Sequence, residues 1–298
     1  MSGPPPTTTT SYDFIMASVG RSAAWTRLGG GRNRRGVGSS AAANPAKVLP
    51  VQHQRPNRPP LRIQPTTLWE YPSQQYGSGS GSQGDQRYVG ATPSYIIWNL
   101  IERYTKKGDL VVDPFCGSGT TLDVAKETGR NARGFDLAPF RPDIEKADAR
   151  KLPLEPASVN LVFMDPPYGD HIDYSDDPSC IGKLSAFDPK YYQAMNRAIR
   201  EASRVLVPGG YLGLYVCDYY EKKTGFAPVG FQLFVSIAEA LAIVDIVTVV
   251  RHNKSLEMGN YRKAAEDGNF FLRGFNYLFI AQKPERRNEG RPSKKGGR

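Results

Sequence analysis

Apolar residues recur along the chain in two alternating rhythms. Short runs at 110–112, 159–164 and 243–250 have the length and β-branched content of buried strands. Between such runs, Ile96, Ile97, Leu100 and Ile101 return at helical spacing on one face. The pattern predicts strands over 110–112, 132–135, 144–147, 159–164, 211–217, 243–250 and 275–281. It predicts helices from 93, over 120–128, over 191–206 and over 231–241. Thr92 is the expected N-cap of the first helix, with Pro93 in its first turn. Gly129 and Pro208-Gly209-Gly210 are the expected stops of the second and third. Helices alternate with strands throughout. The expected class is therefore α/β, a doubly wound, mainly parallel seven-stranded sheet with helices on both faces. No helical pattern separates the last two strands, so they are expected to pair antiparallel through the 251–274 loop.

The rhythm covers only part of the chain. Residues 1–65 lack it and are rich in Pro, Thr, Ser, Gly and Arg, with Gly29-Gly30-Gly31-Arg32-Asn33-Arg34-Arg35-Gly36 at their centre. They read as a disordered basic extension, because no core can form from such a composition. Their Arg-rich, acid-poor character also resembles an organellar transit peptide, against which the Pro/Thr/Gly content counts. Residues 66–283 read as the folded domain, with a Gly/Ser loop at 77–84, and 284–298 as a basic disordered tail. The 298 residues, 39% hydrophobic, suffice for one substantial core. No apolar run approaches the ~18 residues of a membrane span, so a soluble, cytoplasmic protein is expected. Cys116, Cys180 and Cys217 are scattered, and the three histidines lie far apart. Neither a disulfide framework nor a metal site is expected.

The net charge of +10 invites a nucleic-acid reading, but its distribution weakens that inference. Residues 1–60 carry +7 and residues 281–298 carry +5, which leaves −2 on the rest. Basic tails attract phosphates without regard to sequence. They do not identify a polyanionic substrate.

Two motifs carry the chemistry. The first is Asp113-Pro114-Phe115-Cys116-Gly117-Ser118-Gly119-Thr120-Thr121, a glycine-rich turn between a predicted strand and helix. Its glycines let the backbone bend and approach a ligand closely. It has neither the full dinucleotide fingerprint nor the lysine of a phosphate-binding loop. The second is Asp165-Pro166-Pro167-Tyr168, which follows the apolar run 159–164 and begins 52 positions after Asp113. A carboxylate, a carbonyl on a proline-stiffened backbone and an aromatic ring can hold a planar amine by edge and face.

Together the two motifs resemble the signatures of S-adenosylmethionine-dependent amino-methyltransferases, most of which act on DNA. The resemblance spans roughly residues 66–282. It implies the Rossmann-like methyltransferase sheet with an antiparallel last strand. It implies S-adenosyl-L-methionine as cofactor, held by Asp113, Pro114, Phe115, Cys116, Gly117, Ser118, Gly119 and Thr120. It also implies Asp136 on the ribose hydroxyls, Asp148 near the adenine amino group, and the segment of Thr92 at the methionine end. Asp165, Pro166, Pro167 and Tyr168 would then be catalytic. The amine of a flipped-out base attacks the sulfonium methyl directly, with Asp165 and the Pro166 carbonyl as acceptors and Tyr168 stacked on the base. The chain has no Pro-Cys, the nucleophile motif of carbon-5 cytosine methyltransferases.

The target is less determined. An Asp at the head of the tetrapeptide favours adenine N6 in DNA, with cytosine N4 as the alternative. Guanine N2 in RNA and a non-catalytic nucleic-acid-binding protein stay open as further readings. The cofactor motif precedes the amine motif, so recognition must come from loops. The candidates are 169–185, with His171 and Tyr174, and 251–274, with Arg251, Asn253, Lys254, Arg262 and Lys263. DNA is the expected partner, and the resemblance admits a companion restriction endonuclease.

Overall fold

The computed structural model describes residues 62–70, 83–85, 87, 88, 90–170, 174–252, 256 and 258–285. The expectations for 1–61 and 286–298, and for most of the Gly/Ser run at 77–84, lie outside those residues.

Along the described chain the elements are β1 (Leu68–Trp69), α1 (Ser94–Tyr104), β2 (Leu110–Asp113), α2 (Thr120–Glu127), β3 (Asn131–Asp136) and β4 (Ile144–Lys146). Then follow β5 (Val159–Met164), a short 3-10 turn (Ile181–Lys183), α3 (Pro189–Val205), β6 (Leu206–Val216), β7 (Tyr219–Glu221) and β8 (Gly225–Ala227). The last are α4 (Val229–Ala240), β9 (Ala242–Val250), α5 (Gly259–Gly268) and β10 (Phe275–Gln282). The main sheet runs β1-β9-β10-β6-β5-β2-β3-β4. Only β10 is antiparallel to its neighbours, β6 and β9. This is the predicted doubly wound, mainly parallel sheet with an antiparallel last strand.

Period-2 burial explains the central strands. Leu161 and Phe163 of β5, Tyr215 of β6, Leu278 and Ile280 of β10, and Val247 and Val249 of β9 form one core with Ile96, Ile97, Leu100 and Ile101 of α1. The intervening Val162 and Met164 are equally buried, as a strand covered on both faces requires. α3 has a continuous buried stripe through Tyr191, Met195, Ala198, Ile199, Ala202 and Val205.

Four sequence expectations are corrected. The sheet has an eighth strand, β1, whose two residues are too few to show a period. Thr92 is not a cap: α1 starts at Ser94 after Pro93, with no side-chain cap bond. Pro208-Gly209-Gly210 does not follow α3 as a loop but lies inside β6. The register of β5 against β6 shifts there, from Val159 opposite Leu206 to Leu161 opposite Tyr211, and a proline is tolerated in such an irregularity. Finally, a helix, α5, does lie between the last two strands. Only Ala265 of it is buried, so it has no apolar stripe to read. The separate β7–β8 ribbon was likewise unforeseen.

Lys283, just beyond β10, ties the sheet to the end of α3. Its Nζ donates to the carbonyls of Ser203 and Leu206, each at 2.7 Å. A cation on the last carbonyls of a helix also opposes the helix dipole. Lys283→Met is expected to cost about 1–3 kcal/mol of stability in urea denaturation, as for a hydrogen bond to a charged group. No helix among the described residues is long and apolar enough to cross a membrane.

Candidate active site

Three adjacent strands, in the order β5-β2-β3, end in or just before an aspartate at the same edge of the sheet. These are Asp113 at the end of β2, Asp136 at the end of β3 and Asp165 directly after β5. Ligands of open α/β sheets bind beyond such carboxyl ends, where the strand order reverses. Here β2 is followed by β3 on one side while β5 and β6 lie on the other, so the reversal falls between β2 and β5.

The glycine turn is built around buried Asp113. Its Oδ1 accepts from the Phe115 amide at 3.0 Å and its Oδ2 from the Thr121 hydroxyl at 2.5 Å. The carboxylate thus clasps the first and last parts of the turn. Gly117, at φ 43°, donates its N–H to Asp136 Oδ2 at 3.0 Å. A Cβ at Gly117 would lie 2.8 Å from the Tyr88 ring. Gly119, at φ 79°, caps α2, and a Cβ there would meet the Arg141 guanidinium at 2.5 Å. Both positions therefore require glycine. The segment before α1 covers the turn: Gly84 N–H donates to Asp123 Oδ2 and Asp85 N–H to the Ser118 carbonyl. The end of the run read as a loop is in this way docked over the turn.

Asp165 is held from both sides. Thr92 Oγ1 donates to its Oδ2 at 2.5 Å, and Tyr168 Oη donates to its Oδ1 at 3.0 Å. Asn276 Nδ2 in turn donates to Tyr168 Oη at 3.3 Å. Because the Tyr168 proton is committed to Asp165, its oxygen can only accept, which fixes the orientation of the Asn276 amide. Tyr191 Oη of α3 donates to the Pro167 carbonyl at 2.8 Å and so fastens the tetrapeptide to the helix layer.

Burial pushes the Asp165 carboxyl up to about 6, against the donors Thr92 and Tyr168 and the charge of Arg251. Burial likewise pushes Asp113 up to about 7 in spite of its donors Thr121 and Phe115, with Asp165 and Asp136 adding to the rise. Asp136 is raised by burial too, although the amides of Ala138 and Gly117 oppose it. Burial holds the Cys116 thiol far above its usual range, which denies it a role as a thiolate.

Two cavities meet at this edge. The larger, ≈ 330 Å³, is lined by Thr92, Asp113, Phe115, Cys116, Gly117, Ser118 and Thr120 and also by Asp165, Pro166 and Tyr168. Its volume is that of a small-molecule site. The smaller, ≈ 60 Å³, is lined by Pro114, Phe115, Asp136, Asp148, Asp165 and Pro167. The structure therefore brings both motifs to one place, with Asp165 facing both cavities. Gly119 lines neither. Asp148 borders the smaller cavity, but both its oxygens accept from Arg150, at 2.6–3.0 Å. Burial would raise Asp148; Arg150 outweighs this and holds it low.

Of the residues expected to touch nucleic acid, Tyr174 borders both cavities and Arg251 borders the larger. Arg251 Nη1 donates to Cys217 Sγ at 3.1 Å. Arg262 and Lys263 lie exposed on α5 and border neither cavity, and Lys263 pairs with Asp267 of the same helix. His171, Asn253 and Lys254 lie outside the described residues. His252, in the 251–274 loop read as a recognition candidate, also lines the larger cavity, and sequence reasoning missed Tyr88, Tyr215 and Asn276, which line it too. Asn276 had a visible signal, an amide next to the start of an otherwise apolar run that ends at Ala281.

Asn276 is itself buried and its Oδ1 has no partner among the described residues. A buried, half-satisfied amide is kept for what its other half does. Asn276→Leu is expected to lower turnover about tenfold by releasing Tyr168, with cofactor affinity within about twofold, as seen for groups that only orient a first partner. Steady-state kinetics and calorimetry together would check this.

A family model described as DNA methylase matches residues 39–145. That interval holds the glycine turn and Asp136 and ends before Asp165. The type II methyltransferase M.MjaII of Methanocaldococcus jannaschii is 33% identical over 81 residues, covering 27% of this chain and 15% of its own. The type II methyltransferase M.ScaI of Streptomyces caespitosus is 31% identical over 78 residues, covering 26% of each. The type II methyltransferase M2.DpnII of Streptococcus pneumoniae is 50% identical over 44 residues, 15% of this chain and 16% of its own. The chain thus matches about a quarter or less of the length of these relatives. Among solved structures, TrmN from Thermus thermophilus superposes with a TM-score of 0.43 at 19% identity, covering 65% of this chain and 50% of that one. Over residues 39–145, which hold the first motif and not the second, the chain is similar in sequence to the DNA methylase family model.

Proposed function

We propose that the protein transfers a methyl group from S-adenosyl-L-methionine to an exocyclic amino group of a base in DNA, with adenine N6 as the preferred acceptor. The observation that carries this reading is the convergence of Asp113, Asp136 and Asp165 on cavities that the glycine turn and the tetrapeptide share. Bound S-adenosylmethionine would supply the methyl group from a sulfonium cation. Carboxylates at three adjacent strand ends give that edge the negative potential a cation needs. Asp113 is committed to the turn, while Asp136 borders the smaller cavity, where a ribose could be held.

Asp165 is suited to the amine. Each of its oxygens accepts one protein donor, which leaves each a second lone pair, and the residue lines both cavities. Its acceptor oxygens stabilise positive charge that grows on the nitrogen as it attacks. A partner N–H can be taken by the Pro166 carbonyl, and Pro166 lines the same cavity. Tyr168 cannot swing freely, because its hydroxyl is bound at both ends. It offers its ring to the face of a base that has left the stack.

A DNA partner and a cytoplasmic setting are part of this reading. A companion restriction endonuclease would suit it, since the relatives are named type II methyltransferases. The test is to incubate the protein and labelled S-adenosylmethionine with duplex DNA and, separately, with RNA, and to identify the modified nucleoside after digestion. N6-methyl-2′-deoxyadenosine from the DNA sample is expected. N4-methylcytosine would overturn the adenine assignment, and label only in RNA would overturn the DNA assignment.

A further inference from the structure

Two elements beside the site have no role so far, the β7–β8 ribbon and the β9–β10 connection, and among the described residues only Arg251 and His252 of the connection line a cavity. The β7–β8 ribbon bridges the exit of the tetrapeptide and the β9–β10 connection. On one face of the ribbon, Tyr219 stands by Gly169, directly after the tetrapeptide, and packs edge-on against Phe187 at 5.8 Å. On the other face, Tyr220 stacks on Phe270 at 5.2 Å, and Arg273 lies over the Phe226 ring at 5.3 Å. The connection is also tied to the cavity rim, because the N–H of cavity-lining Arg251 donates to the Gly274 carbonyl at 2.9 Å.

Within this braced connection, Phe271 is 84% exposed. Its own carbonyl accepts from Arg273 Nη2 at 2.7 Å, which ties the backbone that carries the ring to the residue two positions on. A large aromatic ring displayed to water on a fixed backbone gains nothing for the fold. Phe226, under Arg273, and Tyr261 of α5 are also exposed, and Lys222 and Lys223 form the exposed tip of the ribbon. Aromatic rings interleaved with cations suit nucleic acid better than an apolar protein partner. A base that enters the cavity leaves a gap in the duplex, and apolar side chains can enter opened base steps.

We propose that the ribbon and the β9–β10 connection form the duplex-docking wall, with Phe271 as the wedge that occupies the stack when the target base is withdrawn and Lys222 and Lys223 on the phosphates. This deepens the function proposed above and rests on it. The wedge stabilises only a base pair that must be opened, so its removal should discriminate between paired and unpaired substrates.

The experiment compares the wild-type chain, Phe271→Ala and Phe271→Trp on unmethylated genomic DNA, native and heat-denatured, with labelled S-adenosylmethionine. Phe271→Ala is expected to lose on the order of tenfold or more on native DNA, with denatured DNA affected less than about twofold, given the few kcal/mol needed to unstack a step. Phe271→Trp should restore the native rate. Equal loss on both forms, or no loss on either, would overturn the wedge. If the wild-type chain labels neither form, it is the DNA reading itself that fails. Lys222→Gln with Lys223→Gln should reduce the slope of log affinity against log salt for duplex DNA by about 2. An unchanged slope would remove the two lysines from the interface.

Discussion

Asp165→Ala is expected to reduce methyl transfer by roughly 10²–10³-fold or more, the size of loss when one pre-aimed group is removed from a developing charge. S-adenosylmethionine affinity should change much less, because the turn's carboxylates and glycines are untouched. Rapid-quench or steady-state transfer, set beside calorimetric binding, separates the two effects. Substantial residual turnover would remove Asp165 from the chemistry. The ionisation of Asp165 adds a second signature. The neutral acid presents an O–H where the amine needs an acceptor, so only the carboxylate works. With the carboxyl pushed up to about 6, activity should fall as pH drops through that value and level off above it. Asp165→Asn should lose this acidic limb along with most of the rate. Stability carries the opposite sign. Burial raises Asp113 and Asp165 above their unfolded values, so their contribution to folding is fully present below about 4 and is lost as pH rises through about 6 and 7. The site is most active in a range where these two groups favour the fold least.

Much of this arrangement was legible in the chain because burial on both faces of a parallel sheet leaves unbroken apolar runs. The runs at 110–112 and 159–164 end in aspartates, and the structure puts those ends on adjacent strands. What could not be read had no apolar period of its own. β1 contributes two residues, and α5 buries one. Pro208-Gly209-Gly210 looked like punctuation after a helix because a bulged strand and a helix stop use the same residues. Thr92 carried a cap's side chain in a cap's sequence position, yet its hydroxyl is spent on Asp165, 73 residues away. Asn276 reaches the site from the last strand, and its bond to Tyr168 spans 108 positions. Local patterns do not encode such partners. They depend on the antiparallel insertion of β10 between β6 and β9.

Asp136 and Asp148 looked alike in the sequence, each an acid after a strand, but they should behave differently when replaced. Asp136 is held by backbone amides alone, Gly117 at 3.0 Å and Ala138 at 3.0 Å with the Leu137 amide also acting on it, and it lines the smaller cavity. Hydrogen bonds from two ribose hydroxyls to a carboxylate are worth about 1.5–3 kcal/mol each. Asp136→Ala should therefore weaken S-adenosylmethionine binding by on the order of 10²-fold or more by calorimetry. Part of that loss would come from the freed Gly117 amide, and Asp136→Asn, which keeps one acceptor, should fall between. Asp148 is engaged by Arg150 through its Nε, Nη2 and backbone N–H, and Arg150 also donates to the Ser179 carbonyl at 2.8 Å. Its charge is neutralised within two residues, and what it offers a ligand is orientation of that pair. Asp148→Ala should cost less than about tenfold in affinity, because Arg150 already holds its charge in the free protein. Equal losses for the two would mean that the pairing of Asp148 with Arg150 does not limit what it contributes to the ligand. The difference, if found, shows that the donors a carboxylate already has in the free protein decide what it can do for a ligand.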